Sequence, residues 1–235
     1  MVSVVIPAFN EVGTIADVIA SALKHPCVEE VLVVDDGSAD ATAQVAEAAG
    51  AQVIRLARNS GKAAALDAGV RAAKSGTLLF LDADVTGHTQ ETLSQIMQPV
   101  IEGRFEMNVG LRARSTLILN RALRLFPIVG GDRALTRRLW ESIPASSVSG
   151  FEIEIALNYT SKQFEKGMGF ELVHGTSHWI KERKYGVVMG VARRMVMIGH
   201  VLSISFRLYV LGWFGRRAVR VKERITALVR TSANG

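Results

Sequence analysis

The stretch Leu79-Phe80-Leu81-Asp82-Ala83-Asp84-Val85 decides the fold class, because an apolar run ends there in two carboxylates that are one residue apart. A short run that is apolar throughout is typical of a buried parallel strand. Ligands of open α/β sheets bind at the carboxyl ends of the strands. Residues i and i+2 of an extended chain point the same way. Asp82 and Asp84 could therefore share a hard divalent cation, Mg²⁺ or Mn²⁺, which would also bind a diphosphate. The alternative is that Asp84 caps the next helix and Asp82 is solvated.

Three apolar strand patterns precede this one, over residues 2–7, 31–34 and 52–56, and helical patterns separate them. This alternation predicts βαβ units, and hence an α/β fold with a mainly parallel central sheet flanked by helices. Polar residues follow each strand: Asn10 and Glu11, Asp35 and Asp36, and Asn59 to Lys62. With Asp82 and Asp84 these make four groups, and turn chemistry explains any one of them but explains four in succession poorly. We expect the groups to meet at one edge of the sheet.

Composition favours one sizeable domain with a basic appendage. The chain has 235 residues, of which 49% are hydrophobic, and a single cysteine, which fits a reducing cytoplasmic setting. The opening residues already form a strand pattern, so we expect no cleavable signal. Residues 181–235 hold 12 Lys or Arg and 2 Glu, a net charge of +10, whereas residues 1–180 have a net charge of −4. The tail therefore predicts a polyanionic partner.

The second half of the chain is less regular. It predicts a strand over 106–112, helices over 116–126 and 134–143, a helix opened by a capping box at Ser149 and Glu152, and a β-hairpin from 170–173 and 177–180. The glycine pair before Asp132 and Arg133 interrupts the chain, which places Arg133 in a loop.

The motifs VSVVIPAFNE, VDDGSAD, RNSGKAAALDAG and LDADV resemble those of family 2 glycosyltransferases with the GT-A fold, in order and in spacing. This resemblance covers roughly the first half of the chain. Later segments, VGLRAR, GGDRAL and GFEIEIAL followed by a basic, apolar tail, look like the small polyprenyl- and dolichyl-phosphate glycosyltransferases. The stretch WIKERKYG at 179–186 departs from the R-x-x-G-x-S-K-like pattern that those enzymes usually carry.

The resemblance implies a role for each matching residue. The predicted contacts to a nucleotide sugar are Pro7, Ala8, Asn10, Glu11, Asp36, Lys62, Asp67, Asp82 and Arg112, with Asp36 at the base. Asp84 would bind the metal with Asp82 beside it, and Arg112 and Arg133 would neutralise phosphates. These roles agree with the chemistry, because a departing nucleoside diphosphate needs its growing charge stabilised.

The general base is open between three carboxylates. An alcohol acceptor needs a group that takes its proton at attack, and Asp132, Glu152 and Glu154 are the candidates. Glu152 would complete the capping box, so the catalytic set that we predict is Asp132, Arg133 and Glu154, with Asp132 favoured as base. A phosphate acceptor needs little base, because its second pKa is about 6. It would instead need cations, which Lys181, Arg183 and Lys184 could supply.

The tail, residues 185–235, has a different character from the predicted catalytic domain, residues 1–184. Residues 195–206 carry no Lys, Arg, Asp or Glu, and a polar stripe of Arg193, His200, Ser203 and Arg207 has helical spacing. Basic residues follow over 216–224. The pattern favours an interfacial helix drawn to anionic lipid. The alternative is a helix that packs on the catalytic domain or in a homo-oligomer.

These observations predict an inverting, metal-dependent glycosyltransferase that uses a UDP- or GDP-linked sugar. The predicted acceptor is a lipid phosphate such as polyprenyl phosphate, at the cytoplasmic, inner face of the cell membrane, and no nucleic acid is involved. The alternatives are a transferase with a soluble acceptor, a nucleotidyltransferase and a non-catalytic nucleotide-binding module. A non-catalytic nucleotide-binding module would leave the carboxylates at the strand ends unexplained, because carboxylates repel phosphates unless a metal intervenes.

Overall fold

A computed structural model describes residues 1–112, 131–143 and 152–178 of the chain. Strands and helices alternate through its first half, as the sequence predicts. In chain order the elements are β1 (Val2–Ala8), α1 (Ile15–Leu23), β2 (Val28–Asp35), α2 (Thr42–Ala48), β3 (Gln52–Arg55), α3 (Lys62–Ala72), β4 (Thr77–Phe80), β5 (Val85–Thr86), α4 (Gln90–Ile101), β6 (Met107–Arg112), β7 (Arg133–Thr136), α5 (Arg137–Glu141), α6 (Glu152–Ser161), β8 (Met168–Val173) and β9 (Ser177–His178).

The central sheet has the strand order β3-β2-β1-β4-β7-β6-β8. The neighbouring pairs are parallel except at β7, which runs antiparallel to both β4 and β6. The prediction of a mainly parallel sheet is therefore confirmed. Because β1, β2 and β4 are parallel, their carboxyl ends lie at the same edge of the sheet and bring the polar groups of the sequence together.

Each face of the sheet packs against its own helices, since alternate residues of a strand point to opposite faces. Val4 and Ile6 of β1 lie in the core under α1 and α4, whereas Val5 lies in the core under α3, α5 and α6. All three side chains are fully buried. Burial of each such side chain stabilises the fold by about 1.5–3 kcal/mol, so the four apolar strand patterns are what hold the edge with the carboxylates in place.

The predicted helix over 134–143 is wrong in its first part. Residues 133–136 form β7, and the helix begins only at Arg137. Strand β7 is inserted between β4 and β6, and Ala134 and Leu135 are fully buried there. The pairing partners of so short an apolar run lie far away in sequence, so its local pattern does not separate strand from helix. The same correction moves Arg133 from a loop into a buried strand.

The predicted hairpin over 170–173 and 177–180 is also wrong. Strand β8 joins the edge of the central sheet, parallel to β6, whereas β9 pairs with β5 in a separate two-stranded sheet. The turn between β8 and β9 therefore leads from one sheet to the other. Because β5 directly follows the two aspartates, β9 lies against that part of the chain.

Several predictions fall outside the residues that the structure describes. These are the helix over 116–126, Ser149 of the capping box, the cations Lys181, Arg183 and Lys184, and the whole tail from 185. Within the described ranges, the helices are all too short or too polar to cross a membrane.

Candidate active site

The two aspartates of residues 82–84, called here the DAD motif, follow β4 in a segment whose backbone is held from several sides. The Leu81 amide donates a hydrogen bond to the Val5 carbonyl, which extends the pairing of β4 with β1. The Thr14 hydroxyl donates to the Ala83 carbonyl at 2.7 Å. The Asp82 amide donates to Oδ1 of Asp132 at 3.1 Å. The backbone of the DAD motif is therefore fixed before any ligand binds, and this is the preorganisation that a catalytic site requires.

Lys62, the first residue of α3, lies between two carboxylates. Its Nζ is 2.8 Å from Oδ1 of Asp82 and 2.7 Å from Oε1 of Glu154. Burial alone would lower the pKa of Lys62, but the charges of Asp82 and Glu154 and their hydrogen bonds outweigh burial and raise that pKa above its ordinary value. Lys62 is therefore a fixed cation that joins the DAD motif to α6.

Arg133 contacts Glu154 from within the core. Its guanidinium is 3.7 Å from the second oxygen of Glu154, and its Nη1 donates to Oδ1 of Asn158 at 3.3 Å. The side chain is only 1% exposed, and this burial lowers the pKa of Arg133 against the opposing charge of Glu154. We predicted that Arg133 neutralises phosphates from a loop. The loop position is wrong, since Arg133 begins β7 and contacts Glu154 from inside the core, whereas its role toward phosphates stays a prediction.

Asp132 is buried, and both of its oxygens have hydrogen-bond partners. Oδ1 accepts the Asp82 amide, and Oδ2 is 3.0 Å from Nε2 of His88. The preceding residue is Gly131, where a Cβ would overlap the Asp82 carboxylate and displace that side chain. The glycine turn therefore serves close approach of the chain to the DAD motif. Asp132, our favoured base, is placed to hold that motif.

The loops that follow β1, β2 and β3 are linked to each other by hydrogen bonds. Asp36 accepts the amides of Ser60 and Gly61 at 2.7 and 2.8 Å. Asn10 has a positive φ of 55° and accepts the amide of Ala39 through its side chain. The amide of Glu11 donates to the Thr42 hydroxyl. Asp36, predicted at the base, therefore also fixes the loop that carries Lys62.

The structure does not bring every predicted residue to the DAD motif. Asp67 forms an ion pair with Arg71, one turn further along α3, and lines a surface groove that Arg137 and Trp140 complete. Arg112 ends β6, and its Nη1 is buried with no hydrogen-bond partner among the described residues. Pro7 and Ala8, by contrast, end β1 and therefore lie at the same sheet edge as the DAD motif. The role of Arg112 as a phosphate ligand stays a prediction.

The donor set of the DAD motif fits a divalent cation. Asp82 and Asp84 offer hard carboxylate oxygens at the end of a strand, the ligands that Mg²⁺ and Mn²⁺ prefer. Within the described ranges, no cluster of three His, Cys, Asp or Glu side chains could hold a metal by itself. A cation here would therefore take its remaining ligands from diphosphate oxygens and water, as Mg²⁺ commonly does.

Sequence reasoning missed three residues that organise the site. Thr14 holds the DAD motif, Asn158 holds Arg133, and His88 holds Asp132. Asn158 lies one helical turn after Glu154, so the predicted helix could have indicated that the two share a face. Thr14 and His88 carry no local signal, because their partners are 69 and 44 residues away in the chain.

Comparisons with known proteins identify the family. Residues 3–143 match the family model "Glycosyl transferase family 2". The chain is 30% identical over 196 residues to a glucosyl-3-phosphoglycerate synthase of Mycolicibacterium paratuberculosis, which covers 66% of this chain and 58% of that protein. It is 32% identical over 106 residues to a dodecaprenyl-phosphate galacturonate synthase of Rhizobium johnstonii, which covers 41% of this chain and 31% of that protein.

A solved structure with the same fold is glucosyl-3-phosphoglycerate synthase from Mycobacterium tuberculosis in complex with Mn²⁺, UDP-glucose and phosphoglyceric acid. It has a TM-score of 0.69 and 25% identity, over 87% of this chain and 79% of that one. The chain spans only 30–58% of the length of the first curated relatives that it matches. The family match covers more than half of the chain, so the protein belongs to glycosyl transferase family 2 and has the GT-A fold.

Proposed function

We propose that this glycosyltransferase moves a sugar from a nucleotide diphosphate sugar to a lipid phosphate such as polyprenyl phosphate, with inversion at the anomeric carbon. One observation carries the proposal: Asp132 and Glu154, the two candidate bases in the described part of the site, are both held by other groups. An acceptor that arrives already ionised suits such a site.

The argument concerns the acceptor's proton. A hydroxyl acceptor needs a positioned base. One oxygen of Glu154 lies 2.7 Å from the Lys62 ammonium and the other 3.7 Å from the Arg133 guanidinium. Asp132 is 2% exposed and binds His88 and the Asp82 amide. A phosphate monoester has a second pKa of about 6 and needs little base at neutral pH. Its oxygen can attack the anomeric carbon opposite the leaving diphosphate.

The donor side would be held by the strand-end groups. We propose that Asp84, with Asp82 beside it, holds Mg²⁺ or Mn²⁺, which when bound neutralises charge on the departing diphosphate. Arg112, at the end of β6, would donate to the phosphates. Asp36 and the loop it fixes would border the nucleoside, which is a uridine or a guanosine. The crystallised relative that binds Mn²⁺ and UDP-glucose supports this arrangement.

The acceptor phosphate would meet the cations that follow β9. His178 pairs with Val85, the residue directly after Asp84. The described chain therefore ends beside the DAD motif, three residues before Lys181. We propose that Lys181 and Arg183 bind the acceptor phosphate, and that the basic tail from 185 holds the enzyme at the anionic cytoplasmic face of the cell membrane. The relative that is a dodecaprenyl-phosphate galacturonate synthase supports a lipid phosphate.

The decisive experiment compares acceptors. The purified chain is incubated with Mn²⁺, a panel of UDP- and GDP-sugars, and one of three acceptors: polyprenyl phosphate, the matching polyprenol, or 3-phosphoglycerate. We expect transfer to polyprenyl phosphate and none to polyprenol, because the alcohol would require a base. Turnover of polyprenol at a similar rate would refute the argument from the held carboxylates.

A second candidate is transfer to a soluble acceptor. It is favoured by the 30% identity to a glucosyl-3-phosphoglycerate synthase, over more of this chain than the lipid-phosphate relative covers. In that case 3-phosphoglycerate would be the productive acceptor in the same assay, and the tail would serve oligomerisation. A chain that binds nucleotides but transfers no sugar to any acceptor would support a non-catalytic module.

A further inference from the structure

His88 is a buried histidine with one defined hydrogen bond. Its Nε2 is 3.0 Å from Oδ2 of Asp132, and its side chain is fully buried. A carboxylate only accepts hydrogen bonds, so Nε2 carries the proton. The other ring nitrogen, Nδ1, is buried and has no hydrogen-bond partner in the described ranges.

Asp132 links His88 to the DAD motif by two hydrogen bonds. Its Oδ2 accepts from His88, and its Oδ1 accepts the backbone amide of Asp82 at 3.1 Å. Without the histidine, the Asp132 side chain could rotate, and a buried carboxylate would lose one of its two partners. Loss of a partner from a buried charged group is costly, so Asp132 would move toward another donor and release the Asp82 amide.

The fold holds His88 from both sides. Before it, Gly87 has a φ of +86°, and a Cβ at this position would lie 2.5 Å from the Gly175 carbonyl oxygen. After it, Thr89 caps α4 by a reciprocal hydrogen-bond pair with Thr92. The ring is therefore fixed between the two-stranded sheet and the start of α4, and this makes it a rigid support for Asp132.

We propose that His88 is a positioning residue for the metal ligands of this enzyme: through Asp132 it holds Asp82 in the geometry that a divalent cation requires. The proposal rests on the proposed metal-dependent transfer. Groups that orient metal ligands typically contribute 10–100-fold in metal affinity or activity. Asp132 is then a second positioning residue and no general base.

The test uses two substitutions of His88 and a matched control. His88→Gln places an amide N–H near the position of Nε2, whereas His88→Phe keeps a ring but removes the donor. His25→Phe is the control, because His25 is also buried and its ring nitrogens bind the Ser94 hydroxyl and the Cys27 amide, neither of which belongs to the DAD motif. Two quantities are measured in the full chain. They are the dissociation constant of Mn²⁺ in the presence of UDP or GDP, from the electron paramagnetic resonance of free Mn²⁺, and the hydrogen-exchange rate of the Asp82 amide, by NMR.

We expect His88→Phe to weaken Mn²⁺ binding by about 10–100-fold and to speed exchange at Asp82. His88→Gln should retain most of the wild-type affinity, and His25→Phe should change neither quantity. Wild-type values in His88→Phe would overturn the inference, and so would an equal loss in His25→Phe, which would indicate a general loss of stability. Absence of Mn²⁺ binding in the wild type with either nucleotide would refute the proposed function instead. The exchange rate at Asp82 would still decide whether His88 holds that residue.

Discussion

Substitution of Lys62 by methionine would remove the cation between Asp82 and Glu154. Its ammonium lies within 2.8 Å of an oxygen of each carboxylate. Methionine keeps most of the side-chain volume, so the chief change is electrostatic. Asp82 and Glu154 would both lose the ion pair with Lys62, and the charge of Arg133, 3.7 Å from Glu154, would remain near both carboxylates. We expect the variant to fold but to be less stable, with two carboxylates facing each other across the vacated position.

The size of the effect follows from burial. Removal of one partner from a fully buried ion pair costs about 3–5 kcal/mol, because the other charge remains buried. The side chain of Lys62 is 25% exposed and those of its partners 17–19%, so water screens part of the charge. We therefore expect a loss of about 2–3 kcal/mol in the free energy of unfolding. With a urea m-value of about 2 kcal/mol/M, the unfolding midpoint should fall by about 1–1.5 M.

The assay is urea denaturation of the wild type, Lys62→Met and an exposed-pair control, Arg55→Met. Arg55 pairs with Glu47 at 3.0 Å, but both side chains are about half exposed, so this control should lose less than about 1 kcal/mol. Addition of Glu154→Gln to Lys62→Met should recover part of the loss, because the repulsion between the two facing carboxylates is removed. A loss no larger than that of the control, or strict additivity in the double variant, would refute the reasoning.

Three further predictions follow from the same structure. Asp84→Asn should abolish transfer with an unchanged circular dichroism spectrum, and EDTA should inhibit the wild type; full activity in either case would exclude the metal. Glu30→Gln should cost about 2 kcal/mol at pH 7, because the Glu30 carboxylate is buried and accepts from the Ser3 hydroxyl and a backbone amide. Burial raises the pKa of Glu30, but these hydrogen bonds outweigh burial and lower that pKa below 4.5. The stability that the Glu30 carboxylate contributes is therefore complete above pH 4.5 and is lost as the pH falls through the folded-state pKa. A difference in unfolding free energy between wild type and Glu30→Gln that persists at low pH would contradict this. Substitution of three tail arginines by glutamate should reduce both cosedimentation with anionic vesicles and transfer to a lipid acceptor; these are Arg216, Arg217 and Arg220. Unchanged values of both would contradict membrane binding.

The first half of the fold could be predicted because its signals are local. Each strand from β1 to β4 is a short apolar run that ends in polar residues, and parallel pairing with helical crossovers leaves few possible arrangements. The same logic places Asp36, Lys62 and Asp82 at one edge, and the structure shows them there. The contacts among them are not local, and no pattern in the sequence indicates that Lys62 binds Asp82 in preference to solvent.

The second half could not be predicted in the same way. Strand β7 is four residues long and begins with Arg133, a charged residue that a sequence pattern places on the surface. It is buried because Glu154 and Asn158 reach it from α6, a helix that starts 19 residues later in the chain. Strand β9 has only two residues, and its partner β5 lies more than 90 residues before it. Such pairings depend on the completed sheet, so the local periodicity of the sequence does not indicate them.

The charges around the DAD motif support a cation there for a reason that is independent of any relative. Four carboxylates lie in or next to the motif, and two cationic side chains contact them: Asp82, Asp84, Asp132 and Glu154 against Lys62 and Arg133. Counted over these six described side chains alone, the formal charge is −2. A nucleoside diphosphate would be repelled by such a cluster, and one divalent cation would reduce its formal charge to zero. Added Mn²⁺ should therefore tighten the binding of the nucleoside diphosphate, whereas the same concentration of Mn²⁺ should have little effect on the free nucleoside. Equal tightening of both ligands, measured by calorimetry, would show that the metal acts elsewhere.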